Sequence, residues 1–204
     1  MTESQWLSLA LVCLLGAMSP GPSVAVVVRH SVVAGSGAGI ACASAHACGI
    51  FLWAAMMVGG LGALVISRPD LFFAFRFAGA AFLLYLGVNA IRAPRTEPAE
   101  TMTSPSGYAG SPVREGFLIA LTNPKIAVFF AALFSQFIRP GAPVAEQWII
   151  AATAATIDAL WYALVSVLVS RAVVLERFHH RAVLLNRIFG AMLLALALSV
   201  ILAG

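Results

Sequence analysis

Asp158 is the sole carboxylate that lies well inside an apolar stretch of this 204-residue chain. An acid at the centre of a membrane helix costs roughly 2.5–3.5 kcal/mol on insertion scales, so such a residue handles protons or substrate, or is neutralised by a partner. Tyr162 and Ser166 follow at steps of four and extend a polar stripe along nearly the same helix face. Two readings follow for Asp158: a proton- or substrate-handling group, or a structural pair with Lys125. His46, set among small residues in another apolar run, has the same duality. It is either a histidine hydrogen-bonded to a neighbouring helix or a proton-relay or substrate ligand.

Backbone chemistry is written at Ser19-Pro20-Gly21-Pro22-Ser23. Each proline removes an N–H and clashes with the carbonyl four residues back, so an apolar run from Trp6 to Val28 is broken near its middle. At membrane depth such a break survives only where protein or a water-filled cavity covers it. Pro20 and Pro22 deprive the Gly16 and Met18 carbonyls of their usual donors, and those oxygens suit an ammonium group or cation. The amides after Pro22 present the positive end of a helix dipole to an anion. A zwitterion uses both. Asn123-Pro124-Lys125 repeats the device: Pro124 frees the Ala120 carbonyl, and Lys125 adds a charge.

The elements that must position these groups follow from composition. The chain is 61% hydrophobic and only 10% charged, with a mean hydropathy of +0.97, whereas soluble domains carry about 25% charged residues. A crossing helix needs about 20 apolar residues, and the apolar runs divide into six, at about 6–29, 38–66, 71–92, 115–138, 145–172 and 182–203. The start, Met-Thr-Glu-Ser-Gln, lacks a basic n-region and a clear cleavage site, so the first run reads as a retained span. The net charge of +4 does not point to nucleic acid, because the basic residues are scattered over loops and span ends. Arg29, Arg92, Arg95, Arg114, Arg171, Arg177 and Arg181 follow odd-numbered spans, against Arg68, Arg76 and Arg139 on the other side. The positive-inside rule then places both termini outside, with Trp6 and Trp148 at the outer interface. Arg76 is expected to snorkel outward.

Residues 93–113 are rich in Pro, Ser, Thr and Gly and read as a flexible linker. The expected organisation is therefore a first three-helix unit over 1–92, a cytoplasmic linker over 93–114 and a second three-helix unit over 115–204. Setting Pro22 on Pro124 aligns Gly-Pro-Ser-Val-Ala-Val-Val (21–27) with Asn-Pro-Lys-Ile-Ala-Val-Phe (123–129). Because each unit has an odd number of spans, the second enters from the opposite side, and paired broken helices then mark the site. The predicted fold is an all-α integral membrane bundle of six transmembrane helices, a 3+3 inverted repeat with helices one and four broken by proline. Span two is dense in small residues (Gly39, Ala43, Ala47; Ala41, Ala45, Gly49), which permit close approach in lipid, so it is expected to be central. Cys42 and Cys48, six apart, differ by about 240° of helical rotation and cannot pair within the helix; with Cys13 they read as packing residues. The stretch from Glu176 to Arg187, with His179 and His180, reads as a solvated basic loop and not as a metal site.

With these pieces in place, the sequence resembles the LysE/RhtB family of amino-acid exporters, of lysine-exporter and homoserine/threonine-exporter type. The matching residues are Ser19-Pro20-Gly21-Pro22, Ala78-Gly79-Ala80-Ala81-Phe82-Leu83 with Leu86-Gly87, Thr122-Asn123-Pro124-Lys125, Asp158, and Leu185-Asn186-Arg187-Ile188-Phe189-Gly190, which fall in five of the six spans. Span two departs from the family pattern in carrying His46. The resemblance implies proton-driven efflux of an amino acid or related small metabolite across a bacterial inner membrane. It points to Ser19, Pro20, Gly21, Pro22, Asn123, Pro124 and Lys125 as substrate-binding and to Asp158 as proton-coupling, and Ser23, next to the first break, is a further substrate-binding candidate. His46 joins the substrate-binding candidates on its position alone. The expected partners are a small-molecule substrate, protons and the lipid bilayer, with a homo-oligomer left open and no cofactor, resident metal or nucleic acid. The rivals are an inorganic cation transporter or channel on the same scaffold, which one Asp supplies poorly with ligands, and a membrane enzyme, for which no nucleophile sits beside a base.

Overall fold

The computed structural model describes residues 1–92, 110–138, 142–169 and 172–203, with the side chains of 61–66, 69, 172–182, 185 and 203 outside that description. Among the described residues every element is helical: α1 (Glu3–Met18), α2 (Pro22–Ala34), α3 (Ser36–Ser67), α4 (Pro69–Arg92), α5 (Pro112–Thr122), α6 (Pro124–Phe137), α7 (Val144–Val169) and α8 (Ala172–Ala203). α3, α4 and α7 are each long and apolar enough to cross a bilayer. α1 with α2, bent by 61°, and α5 with α6, bent by 55°, each qualify as one broken crossing, which brings the total to five. α8 adds a shorter apolar stretch, Asn186–Leu202. The chain is a multi-pass membrane bundle.

The breaks arise locally. At the end of α1 the Ser19 N–H donates to the carbonyls of both Leu15 (3.0 Å) and Gly16 (3.2 Å), and the ladder stops because Pro20 has no proton to offer. The Gly16 carbonyl is therefore capped, not left free as the proline spacing alone suggests. Gly21 is extended and gives α2 no side-chain cap. Asn123 behaves differently: it ends α5, and its Oδ1 accepts from the Lys125 N–H at 3.0 Å to begin α6.

Two other boundaries move. The outer loop expected at Ser67–Asp70 shrinks to Arg68, because Pro69 opens α4 at the position where a fixed φ and a missing N–H do no harm. The basic stretch 176–187 is helix, not loop. No Pro or Gly interrupts it, and Leu, Glu, Arg and Ala propagate a helix readily. The side chains of His179 and His180, and the linker residues 93–109, lie outside the described residues.

α3 is central, packing along α7 and against α2, α5 and α6. Its small residues make this approach possible. A Cβ added to Gly39 would fall 2.8 Å from Ser166 Oγ on α7, and one added to Gly49 would fall 2.6 Å from Ala120 Cβ on α5. α4 packs along α8, where Gly87 and Gly190 face each other: a Cβ on Gly87 would lie 2.8 Å from the Gly190 carbonyl oxygen, and one on Gly190 would lie 2.5 Å from that of Gly87. Backbone cannot yield as a side chain does. Gly190→Val is expected to lower the Tm of the solubilised protein by several degrees, since overpacking costs about 1–3 kcal/mol and each kcal/mol shifts Tm by about 2–4 °C at this chain length. Gly59→Ala, at a position with nothing within 4 Å, should leave Tm unchanged or raise it; equal Tm values for the two variants would refute the tight crossing.

Arg76 does not simply reach outward. Its Nε donates to Gln136 Oε1 on α6 at 3.5 Å, and Gln136 Nε2 donates back to the Arg76 carbonyl at 3.2 Å.

Candidate functional site

The two breaks meet. Asn123 Nδ2 donates to Ser23 Oγ at 3.2 Å, and Lys125 Nζ donates to Ser19 Oγ at 2.8 Å. Each polar residue of the second break thus reaches across to the first. Ser19, Ser23 and Asn123 are buried, so these bonds form away from water, where a polar group without a partner costs about 1–3 kcal/mol. Ser19 also points its hydroxyl at Asn186 Oδ1 on α8, at 3.4 Å. Lys125 Nζ stands 5.7 Å from the centroid of the Phe189 ring, in cation–π range.

A narrow cavity, with about 550 Å³ of empty space only when its open mouth is counted, lies between these breaks and α3, α7 and α8. Ser19, Gly21, Ser23, Asn123, Lys125, His46 and Asp158 line it, together with Tyr162, Ile50, Ala154, Phe129, Phe130 and Phe189. Pro20, Pro22 and Pro124 do not. Pro22 and Pro124 occupy the first position of α2 and α6 and lie exposed at the bundle surface. Their part is to break the helices, and the residues beside them turn inward.

The two breaks are chemically unequal. At α6 the N-terminus is closed by the Asn123 side chain. At α2 no side chain caps the amides of Ser23 and Val24, and the Lys125 ammonium lies across from this end, 3.8 Å from where a Cβ on Gly21 would sit. Uncapped amides, a helix dipole and an ammonium together attract an anion.

Across the cavity Asp158 is paired, with His46 and not with Lys125. His46 Nδ1 is 2.7 Å from Asp158 Oδ2, and both side chains are buried. The edge of Tyr162 meets the His46 ring, with centroids 5.0 Å apart. Among the described residues His46 is the sole hydrogen-bond partner of Asp158, and His46 Nε2 is buried without one. Tyr162 and Ser166 continue the buried stripe toward α3, Ser166 Oγ donating to the Tyr162 carbonyl at 2.7 Å. The remaining wall, Ile50, Ala154, Phe129 and Phe130, is apolar.

A second charged cluster was not evident from the sequence. Glu115 on α5 holds both Arg29 and His30 of α2, the His30 Nε2 at 3.0 Å from its Oε2. Arg29 counted only as a topology signal and Glu115 as a helix-start residue; their pairing depends on α2 and α5 lying side by side. The aromatic wall was equally hidden, since nothing in the sequence sets Phe129 and Phe130 apart from the other aromatics of the apolar runs. All three cysteines are free, and among the described residues no group of three or more His, Cys, Asp and Glu side chains converges.

The family model described as LysE type translocator matches residues 14–204. The chain is 33% identical over 128 residues to the leucine efflux proteins of Salmonella typhimurium and Salmonella typhi, covering 61% of this chain and 58% of each of theirs. It is 35% identical over 130 residues to an uncharacterised membrane protein of Pseudomonas aeruginosa, covering 60% of this chain and 58% of that one. The matched region thus spans under two thirds of these relatives' length. No solved structure matches the chain.

Proposed function

The chain belongs to the LysE type translocator family, and on that premise we propose that it exports an amino acid or a closely related small metabolite from the cytoplasm by proton antiport. The observation that carries this reading is the single cavity shared by both helix breaks and Asp158. In it the substrate carboxylate lies at the open end of α2, beside Lys125 and Ser19, and the ammonium faces Asp158. The side chain rests on Ile50, Ala154, Phe129 and Phe130. Among the described residues no second carboxylate lines the cavity to meet a cationic side chain, so the proposed cargo is a neutral amino acid with an apolar side chain, leucine being the first to test.

Antiport follows from competition. A buried carboxylate that binds either a proton or an ammonium group, but not both, exchanges one for the other each time the cavity turns to face the opposite side. The turning elements we assign are the two three-helix units, 1–92 and 115–204, joined by a linker at 93–114 and inserted with opposite topology, which is how paired broken helices alternate access in other secondary transporters. Both termini face the periplasm in this arrangement, as the arginine distribution requires, and the membrane is the bacterial inner membrane.

Everted vesicles test the reading. Labelled leucine should accumulate in vesicles containing the protein and cease to do so when a protonophore collapses the gradient, while labelled divalent cations should not accumulate. Uptake of cations without uptake of any amino acid in a broad panel would replace the exporter with the cation transporter.

A further inference from the structure

We propose that His46 and Asp158 act as one proton-binding unit bridging the two halves of the bundle, in which His46 serves as the positioning residue that sets when Asp158 exchanges its proton for the substrate ammonium. The inference rests on the export reading and assigns to its carboxylate a partner and a trigger.

Three observations carry it. The bridge joins α3 to α7, the central contact between the chain's first and second halves, through a 2.7 Å bond buried on both sides. Any motion that parts those helices must break or re-form it. Second, the bond occupies one carboxylate oxygen, and no other hydrogen-bond partner of Asp158 is present among the described residues. The other oxygen is left for a proton or an ammonium group from the cavity that Asp158 lines. Third, His46 Nε2 is buried and has no partner among the described residues. A proton taken up there would leave an N–H donor stranded in this conformation, a penalty of about 1–3 kcal/mol. Loading the pair with a proton therefore favours a different conformation, one that supplies an acceptor. That is the differential affinity a conformational switch requires.

The proton balance closes. When Asp158 is protonated, the entering substrate's ammonium takes its place and the proton leaves to water in the cavity on that side. When the cavity faces the other side, a proton from that side displaces the ammonium. The proton moves only between water and the Asp158 carboxylate or the His46 imidazole, so the only bonds made or broken are O–H and N–H. Among the described residues the other titratable groups around the pair are Cys13 from α1, Cys42 one turn away on α3, Tyr162 on α7 and Lys125 from α6. α8 contributes Phe189 and α2 contributes Ser23, neither of which titrates, and Glu115 of α5 is engaged by Arg29 and His30.

The test uses the full chain reconstituted in vesicles. Two rates are measured for wild type, His46→Asn and His46→Gln: gradient-driven transport of labelled leucine, and counterflow of leucine at equal pH. Asn keeps an amide donor near the position of Nδ1 but cannot titrate. The ratio of driven transport to counterflow should fall by roughly tenfold in both variants, within the span of ordinary coupling energies. Its dependence on pH should flatten as well. A wild-type ratio and pH profile in the variants, whatever the absolute rates, would overturn the proposal. Histidine-selective ¹⁵N NMR of the purified protein separates this failure from failure of the export reading. A coupled pair titrates as a unit, so Asp158→Asn must change the His46 titration curve even if no amino acid is transported. An unchanged curve overturns the pair directly.

Discussion

Asp158→Asn is expected to abolish gradient-driven export while the protein still inserts at wild-type level. The substitution preserves shape and leaves an amide able to hydrogen-bond His46, so the α3–α7 contact survives. What disappears is the charge. An amide neither takes up a proton nor balances an ammonium group, and removing one member of a buried charge pair costs about 2–5 kcal/mol. At 1.4 kcal/mol per factor of ten, substrate affinity falls on the order of 10²-fold or more. Counterflow falls with it, because the ammonium loses its partner. Membrane abundance by immunoblot and labelled leucine uptake in everted vesicles measure the two halves of this expectation. Active export persisting in the variant would remove Asp158 from the mechanism.

Lys125→Met should leave chemistry at Asp158 intact and weaken binding at the opposite wall. Met keeps the length and the apolar stem and deletes only the ammonium, whose contacts among the described residues are a hydrogen bond to Ser19 Oγ and the face of the Phe189 ring. A hydrogen bond to a charged group contributes about 1.5–3 kcal/mol, so KM for export should rise roughly tenfold to a hundredfold, with a much smaller change in kcat. The α2 amides still attract the carboxylate, which keeps the loss below that expected at Asp158. An unchanged KM would mean that Lys125 serves only to tie the two breaks together.

Much of this site could be read before any coordinates, and the reason is that prolines and charges act strongly and locally in an apolar chain. A proline cannot continue a helix that runs into it but readily opens the next one, so the breaks ahead of Pro22 and Pro124 were legible from the sequence. Asp158 was conspicuous because hydrocarbon tolerates so few acids. Its partner was not. His46 and Asp158 are 112 positions apart, and pairing them requires knowing which faces of α3 and α7 meet. In a soluble protein an apolar stripe would reveal that face, but helices that touch lipid are apolar all round, so the pattern is erased. The same erasure hid Phe129 and Phe130. The basic stretch before Asn186 failed for the opposite reason: its polarity suggested a loop, yet polarity does not stop a helix that lacks Pro and Gly. Polar capping also differed in a way composition alone does not show, since Asn123 closes α6 with its own side chain and Gly21 leaves α2 open.

The bonds that tie the breaks together carry a consequence for biogenesis. Ser23 and Ser19 receive their donors from residues 100 and 106 positions further along the chain. While the ribosome is still making the second half, the first has already delivered a kinked, half-satisfied segment to the translocon, where lipid offers it nothing. Quality-control proteases should therefore find α1–α2 vulnerable until α6 arrives, and nascent chains truncated before Asn123 should be degraded where those ending after Phe137 persist.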